Sequence, residues 1–201
     1  MKKGAAVIET RIIENLFEII QDGHMKYIPL DWGLSIFFSQ ENKHLISRDM
    51  FPGRDVEIII LPFDKFSVDD YNKLLTSSQF WNCLEYDKVL IFQTDSRILR
   101  SGIEEFLHFD YVGARWKWFP FVGNGGFSLR TKKKMLEIIE KVSFDYSKHG
   151  NEDVYFCNLM HSVNGNLASP EQADKFSVES CFALGSFGWH AADKYLTKEE
   201  F

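Results

Sequence analysis

Runs that are apolar at every position alternate along this chain with stretches in which apolar residues recur every three or four positions. Ala5-Ala6-Val7-Ile8, Trp32-Gly33-Leu34-Ser35-Ile36-Phe37-Phe38, Val56 to Leu61 and Val89 to Phe92 are of the first kind. A strand with one wet face alternates in polarity, so such runs predict strands covered on both faces. Ile12, Ile13, Leu16, Phe17, Ile19 and Ile20 have helical spacing up to Asp22-Gly23, where glycine supplies a stop. Gln40 to Arg54 is polar and reads as a surface connection. Ser67-Val68-Asp69-Asp70 reads as a helix start leading into Tyr71 to Thr76, with Phe80, Trp81 and Leu84 packing that segment onto the sheet.

Beyond the fourth run the pattern predicts a short helix over Gly102 to Phe109 and a strand from Tyr111 into an aromatic loop, Trp116-Lys117-Trp118-Phe119-Pro120. Gly123-Asn124-Gly125-Gly126 then leads into an alternating strand ending at Arg130, and Thr131 caps a helix running to Val142. Asn151-Glu152-Asp153 opens a further helix, Ser169-Pro170-Glu171 a short helical turn, and Phe176 to Glu179 a strand. Gly185-Ser186-Phe187-Gly188-Trp189-His190 reads as a glycine-flanked aromatic loop. Strands interleaved with helices predict an α/β fold, a mostly parallel central sheet flanked by helices. With no repeat, low-complexity tract or linker, residues 1–201 are expected to form a single domain.

Composition narrows the partners. The 201 residues are 45% hydrophobic, with 19 phenylalanines, enough for a sizeable core. A net charge of -6 argues against nucleic acid, which requires a basic footprint. Lys132-Lys133-Lys134 is the one basic run and reads as a solvated helix face. Cys83, Cys157 and Cys181 lie far apart without metal or disulfide spacing, which suits a reducing cytoplasm. No apolar stretch approaches the roughly 20 residues of a membrane helix, so work at a membrane would be peripheral, at its inner face. Met1-Lys2-Lys3 is basic, but Glu9 interrupts the apolar run behind it, against a secretory signal.

Candidate chemistry clusters at element ends. Gln93-Thr94-Asp95-Ser96 closes the fourth run, and the carboxyl ends of strands are where open α/β sheets place ligands. A carboxylate held there beside hydroxyls suits a hard cation carrying phosphate oxygens, although Asp-Ser also opens ordinary turns. The glycines imply close approach to a ligand or a plain tight turn. Glu152 and Asp153 sit where the helix dipole favours acids whatever their function. His190 is a lone histidine, and such residues are more often structural than ligating.

Taken in order, Gln93-Thr94-Asp95-Ser96, Gly123 to Ser128, Asn151-Glu152-Asp153 and Phe187 to His190 resemble nucleotide-sugar-dependent glycosyltransferases of the GT-A type, especially the beta-1,4-galactosyltransferase branch. With Val7-Ile8-Glu9-Thr10-Arg11, Asp31-Trp32-Gly33, Tyr111-Val112-Gly113-Ala114 and Asn151 to Phe156 added, the string is similar to a family of uncharacterised glycosyltransferase-like proteins classed as a domain of unknown function. The resemblance spans about residues 5 to 190. It implies an inverting, metal-assisted sugar transfer from a nucleotide sugar, with UDP-sugar as the expected donor, to a glycan or other hydroxyl acceptor in polysaccharide biosynthesis. Asp95 would anchor Mn2+ or Mg2+ and the diphosphate, with His190 as second metal ligand. Asp153 would be the general base and Glu152 an acceptor-binding group. Glu9, Thr10 and Arg11 would face the nucleotide, Thr94 and Ser96 would flank Asp95, and Asn124, Gly125 and Gly126 would lie by the donor sugar. Gln93 departs from the Asp-x-Asp pattern, which removes a charge that a hard cation prefers. Two other functions fit the same residues: a GT-A domain that binds a nucleotide or glycan without turnover, and a metal-dependent phosphoester hydrolase using Asp95, Asp153 and His190. Ser-His-Asp hydrolysis is the least supported, because no Gly-x-Ser-x-Gly elbow occurs.

Overall fold

The computed structural model of the chain describes residues 1–118 and 123–197. Its strands are β1 (Lys3–Ile8), β2 (Gly33–Phe38), β3 (Val56–Ile60), β4 (Lys88–Phe92), β5 (Ser96–Ile98), β6 (Tyr111–Gly113), β7 (Phe127–Thr131), β8 (Ser177–Val178) and β9 (Gly188–His190). The helices are α1 (Leu16–Gln21), α2 (Val68–Leu75), α3 (Ser78–Cys83), α4 (Lys132–Lys141), α5 (Tyr146–His149), α6 (Glu152–Leu159) and α7 (Pro170–Phe176). The main sheet has the order β3-β2-β1-β4-β7-β6, and β5-β9-β8 form a small second sheet. The first four strands of the main sheet are parallel, whereas β7 runs antiparallel to both β4 and β6.

The uninterrupted apolar runs have a direct cause: alternate residues of the central strands enter different cores. Ala5, Val7, Leu90 and Phe92 meet Leu16 and Ile20 of α1 together with Phe106, Phe176 and Phe187. Ala6, Ile8, Val89 and Ile91 face the other way, onto Leu75, Phe80, Trp81, Met135, Ile138 and Phe156 from α2, α3, α4 and α6. Both faces are dry, so neither can carry the polar half of an alternation. Ser67 begins α2 with a reciprocal cap: its hydroxyl accepts from the Asp70 N–H and the Asp70 carboxylate accepts from the Ser67 N–H.

Several local expectations are corrected. Gln40 to Arg54 is more than a surface connection, since it buries Ile46 and Phe51 in the core. Arg54 donates to the carbonyls of Met25, Ile28, Pro29 and Trp32, tying that segment down. The helix expected from Ile12 starts only at Leu16, because residues 11–15 form a loop at the sheet edge. Gly102 to Phe109 makes one 3-10 turn, Ile103–Phe106, entered from Gly102 in the left-handed region. The loop expected to end at His190 closes as strand β9, paired with β5 and β8. Phe119 and Pro120 of the expected aromatic loop lie outside the described residues.

Strand direction assembles the site. Parallel pairing sets Val7 opposite Phe92, so the chain leaves β1 and β4 at the same edge. Antiparallel β7 begins there, with Phe127 opposite Phe92. Pairing of Ser96 with His190 adds the start of β5 and the end of β9. Glu9, Gln93, Gly126 and His190 therefore converge from four distant parts of the chain.

Candidate functional site

A cleft of about 290 Å³ opens at this edge, lined by Ile8 to Arg11, Phe66 to Val68, Tyr71 and Gln93 to Asp95. Its floor is built from β1. The buried Glu9 carboxylate accepts from Arg11 Nε at 2.8 Å and from Arg11 Nη2 at 2.6 Å, and the Thr94 hydroxyl donates to it at 3.0 Å. Arg11 also reaches Thr94 Oγ1 at 3.0 Å, which ties the ends of β1 and β4 together. Asn42 holds the loop from below, donating to the carbonyls of Glu9 and Arg11 at 2.8 and 2.9 Å. Thr10 is buried, and its carbonyl accepts from Ser39. The Tyr71 hydroxyl is buried beside the cleft, near Gln93.

At the other end of the cleft Asp95 is held between two cationic side chains. His190 Nε2 lies 3.3 Å from Asp95 Oδ1, and Lys194 Nζ lies 2.6 Å from Oδ2. The His190 hydrogen bond first, then Lys194, hold the Asp95 carboxyl well below the usual carboxylate range despite its partial burial. His190 Nε2 also lies 3.0 Å from Gln93 Oε1, and Nδ1 lies 3.2 Å from Glu179 Oε1. Burial alone would disfavour the imidazolium, but Asp95 and Glu179 outweigh it and raise His190 to about 9. Asn124 completes the surround, donating to Glu179 at 2.7 Å and accepting from the Phe127 N–H.

The glycine pair joins this station to a second carboxylate. A Cβ on Gly126 would lie 2.2 Å from His190 Nε2, and one on Gly125 2.2 Å from Glu152 Oε1. Neither position has room for a side chain. The Gly125 N–H donates to Asp153 Oδ2 at 3.0 Å, and the Val154 N–H donates to Oδ1 at 2.8 Å. Burial, with the like charge of Glu152, nevertheless pushes the Asp153 carboxyl up to about 7. Glu152 is itself fully engaged: Arg130, buried under Tyr111 and Phe156, donates to both its oxygens at 2.6 and 2.9 Å. The Asn72 side chain accepts from the Glu152 N–H and so begins α6 in place of a cap from Asn151.

The structure brings Glu9, Thr10, Arg11, Gln93, Thr94, Asp95, Gly125, Gly126, Asp153 and His190 to one edge. Three other candidates turn inward. Ser96 is buried, its hydroxyl 2.6 Å from the Gln93 carbonyl and 2.9 Å from His24 Nε2. The Asn124 side chain serves Glu179 and the Phe127 backbone. Glu152 has both oxygens on Arg130, which also donates to the Gly125 carbonyl. His24, Asn42, Tyr71, Glu179 and Lys194 belong to the site without having been singled out, since their sequence surroundings carry no motif.

A hard divalent cation takes about six oxygen ligands and draws its affinity from carboxylates. Here Asp95 has an oxygen on Lys194 and an oxygen on His190, Glu9 in the same cleft has both oxygens on Arg11, and Gln93 adds only a neutral amide. Among the described residues no group of three His, Cys, Asp or Glu side chains is arranged to hold a metal. This donor set departs from what Mn2+ or Mg2+ takes.

A family model described as "Protein of unknown function (DUF5672)" matches residues 55–190. The chain belongs to this family. Comparison with curated proteins finds no match. Among solved structures, the apo form of the glycosyltransferase GlyE of Streptococcus pneumoniae TIGR4 is similar, with a TM-score of 0.58 and 12% identity. The alignment covers 98% of this chain and 55% of that one, so this DUF5672 chain spans little more than half of its structural relative. The likeness is one of fold, a distant match to a GT-A glycosyltransferase, and it does not single out the beta-1,4-galactosyltransferase branch. No helix of the described residues is long and apolar enough to cross a membrane.

Proposed function

We propose that this protein transfers a sugar from a nucleoside-diphosphate donor to an acceptor hydroxyl, with inversion. The observation that carries the reading is the pair of unlike stations joined by Gly125-Gly126. On one side Asp95, His190 and Lys194 form a polar seat beside a cleft suited to a nucleotide. On the other, Asp153 is a carboxylate whose proton affinity lies near neutrality. A general base with a pKa near the working pH combines useful basicity with a useful ionised fraction.

In this reading the nucleotide lies along Glu9 to Arg11 and the diphosphate reaches Thr94 and Asp95. The acceptor oxygen attacks the anomeric carbon while the bond from that carbon to the diphosphate oxygen breaks. The bonding pair leaves with the diphosphate, and the acceptor proton passes to Asp153. Trp118 and Tyr195, ring centroids 5.6 Å apart and both exposed, offer an aromatic surface for a sugar face next to Lys194. The fold likeness and the family resemblance support the class of reaction, and a UDP-sugar remains the expected donor.

The test is a panel of nucleotide sugars and glycan acceptors, with release of nucleoside diphosphate and formation of product followed together. Asp153→Asn is expected to slow transfer at least about 100-fold while nucleotide binding persists. Transfer at the wild-type rate by that variant would remove Asp153 from the role, and phosphate release without a glycosylated product would instead support a phosphoester hydrolase. A second reading, binding without turnover, is favoured by one observation, the neutral Gln93 against His190. Saturable nucleotide binding without transfer across the whole panel would select it.

A further inference from the structure

We propose that Lys194 is the built-in counter-charge for a diphosphate at this site, and that the site binds nucleoside diphosphates without a divalent cation. The inference rests on the nucleotide reading above and goes beyond it by replacing the metal with a side chain of this protein.

The placement of Lys194 is specific. After β9 delivers His190, Ala191 takes a left-handed conformation, φ 47°, that a residue with a side chain rarely adopts. Its N–H donates to the carbonyl oxygen of Asp95 at 2.8 Å. The 3-10 turn Ala192–Lys194 follows, and Lys194 Nζ arrives 2.6 Å from Asp95 Oδ2. Asp95 is thus held at its backbone by Ala191 and at its side chain by Lys194, both from one short segment. Unfavourable local geometry sustained by such contacts is a feature of ligand sites.

The chemistry follows from what each group can still do. Asp95 has spent an oxygen on the ammonium, and a divalent ion placed against that oxygen would also lie against Lys194. The position where the related pattern carries a second acid is Gln93, which adds no negative charge. An ammonium has three N–H donors, and Asp95 takes one, leaving two for phosphate oxygens. The Lys194 side chain is 57% exposed, so it can tilt from the carboxylate toward a bound phosphate without leaving a buried pocket. Arg11, fixed on Glu9 and touching Thr94, the residue before Asp95, brings a second cation to the cleft. Arginine and lysine together meet a diphosphate from two sides, the first as a planar fork and the second as a movable point charge. Asp95 then acts as a positioning residue for Lys194.

The deciding experiment is calorimetric titration of the full chain with uridine diphosphate and with guanosine diphosphate, in excess EDTA and again in millimolar Mn2+. The expected result is an affinity that differs by less than about twofold between the two conditions for the nucleotide that binds. Lys194→Met should weaken binding at least about tenfold in both, and Lys194→Arg should restore most of it, which loss of a merely structural surface pair would not produce. Should Lys194→Met fail to fold, judged by thermal melting, the wild-type comparison of EDTA with Mn2+ decides alone. An affinity at least about tenfold weaker in EDTA, or a Lys194→Met that binds like wild type, overturns the inference and leaves the nucleotide reading standing. Absence of nucleotide binding in either condition overturns both. Mn2+ added to the protein alone and followed by electron paramagnetic resonance should show no saturable site. A saturable site lost in Asp95→Asn would also overturn the inference.

Discussion

Arg130 shows how a residue remote from the cleft can govern it. The guanidinium is fully buried, donates to both oxygens of Glu152, and lies 4.7 Å from the ring centroid of Tyr111. Burial opposes its charge, yet the carboxylate beside it holds the guanidinium protonated and raises its pKa further. Because removal of one partner leaves an uncompensated buried charge, Glu152→Gln is expected to cost about 3 kcal/mol in a denaturant titration. The double change Arg130→Met with Glu152→Leu, which removes both charges, should cost less than Glu152→Gln alone. Asp153 carries a different consequence at this scale. A base that must be ionised works above its pKa, so transfer at saturating donor should rise with pH through about 7 and level off above it. A rate independent of pH between 5 and 9 would count against Asp153 as the base.

Among the elements, the end of β1 depends on a loop that its composition does not mark. The Asn42 side chain donates to the carbonyls of Glu9 and Arg11 and accepts from the Ser39 N–H, so one amide satisfies three backbone groups, two of them buried. Asn42→Ala strands all three. A loss of about 2 to 3 kcal/mol is expected by thermal or chemical unfolding, since each buried polar group left unpaired costs about 1 to 3 kcal/mol before relaxation. Nucleotide affinity should fall as well, because Arg11 is positioned through this loop. The β4 end has its own support in His24, which links the carbonyl of Ile19 in α1 to Ser96 and stacks on Phe92 at 4.2 Å.

On the scale of the whole molecule, His24 makes stability depend on pH. Its burial lowers the pKa from 6.5 to about 4, so the unfolded chain binds the proton more readily than the folded one. The stability this neutral imidazole contributes is fully present above about 6.5 and is lost as pH falls toward 4, roughly 3 kcal/mol in all. Asp153, held near 7 in the fold, gains stability over much of the same range, so the His24 contribution is read as a difference: between about 6.5 and 4 the unfolding midpoint of the wild type should fall relative to that of His24→Gln.

The amino-acid order alone determined the α/β class, because uninterrupted apolar runs such as Val89 to Phe92 make sense only for strands buried on both faces. It also determined that Asp95 closely follows a buried strand and that Glu152-Asp153 opens a helix. These are local facts, carried by neighbours in the chain. Only the tertiary structure decided that Glu152 belongs to Arg130, that Ser96 turns toward His24, and that Lys194 closes on Asp95 across a separation of 99 positions. Contacts of that kind are set by strand order and direction, and no periodicity of apolar positions encodes which charged side chain a folded sheet edge will bring to another.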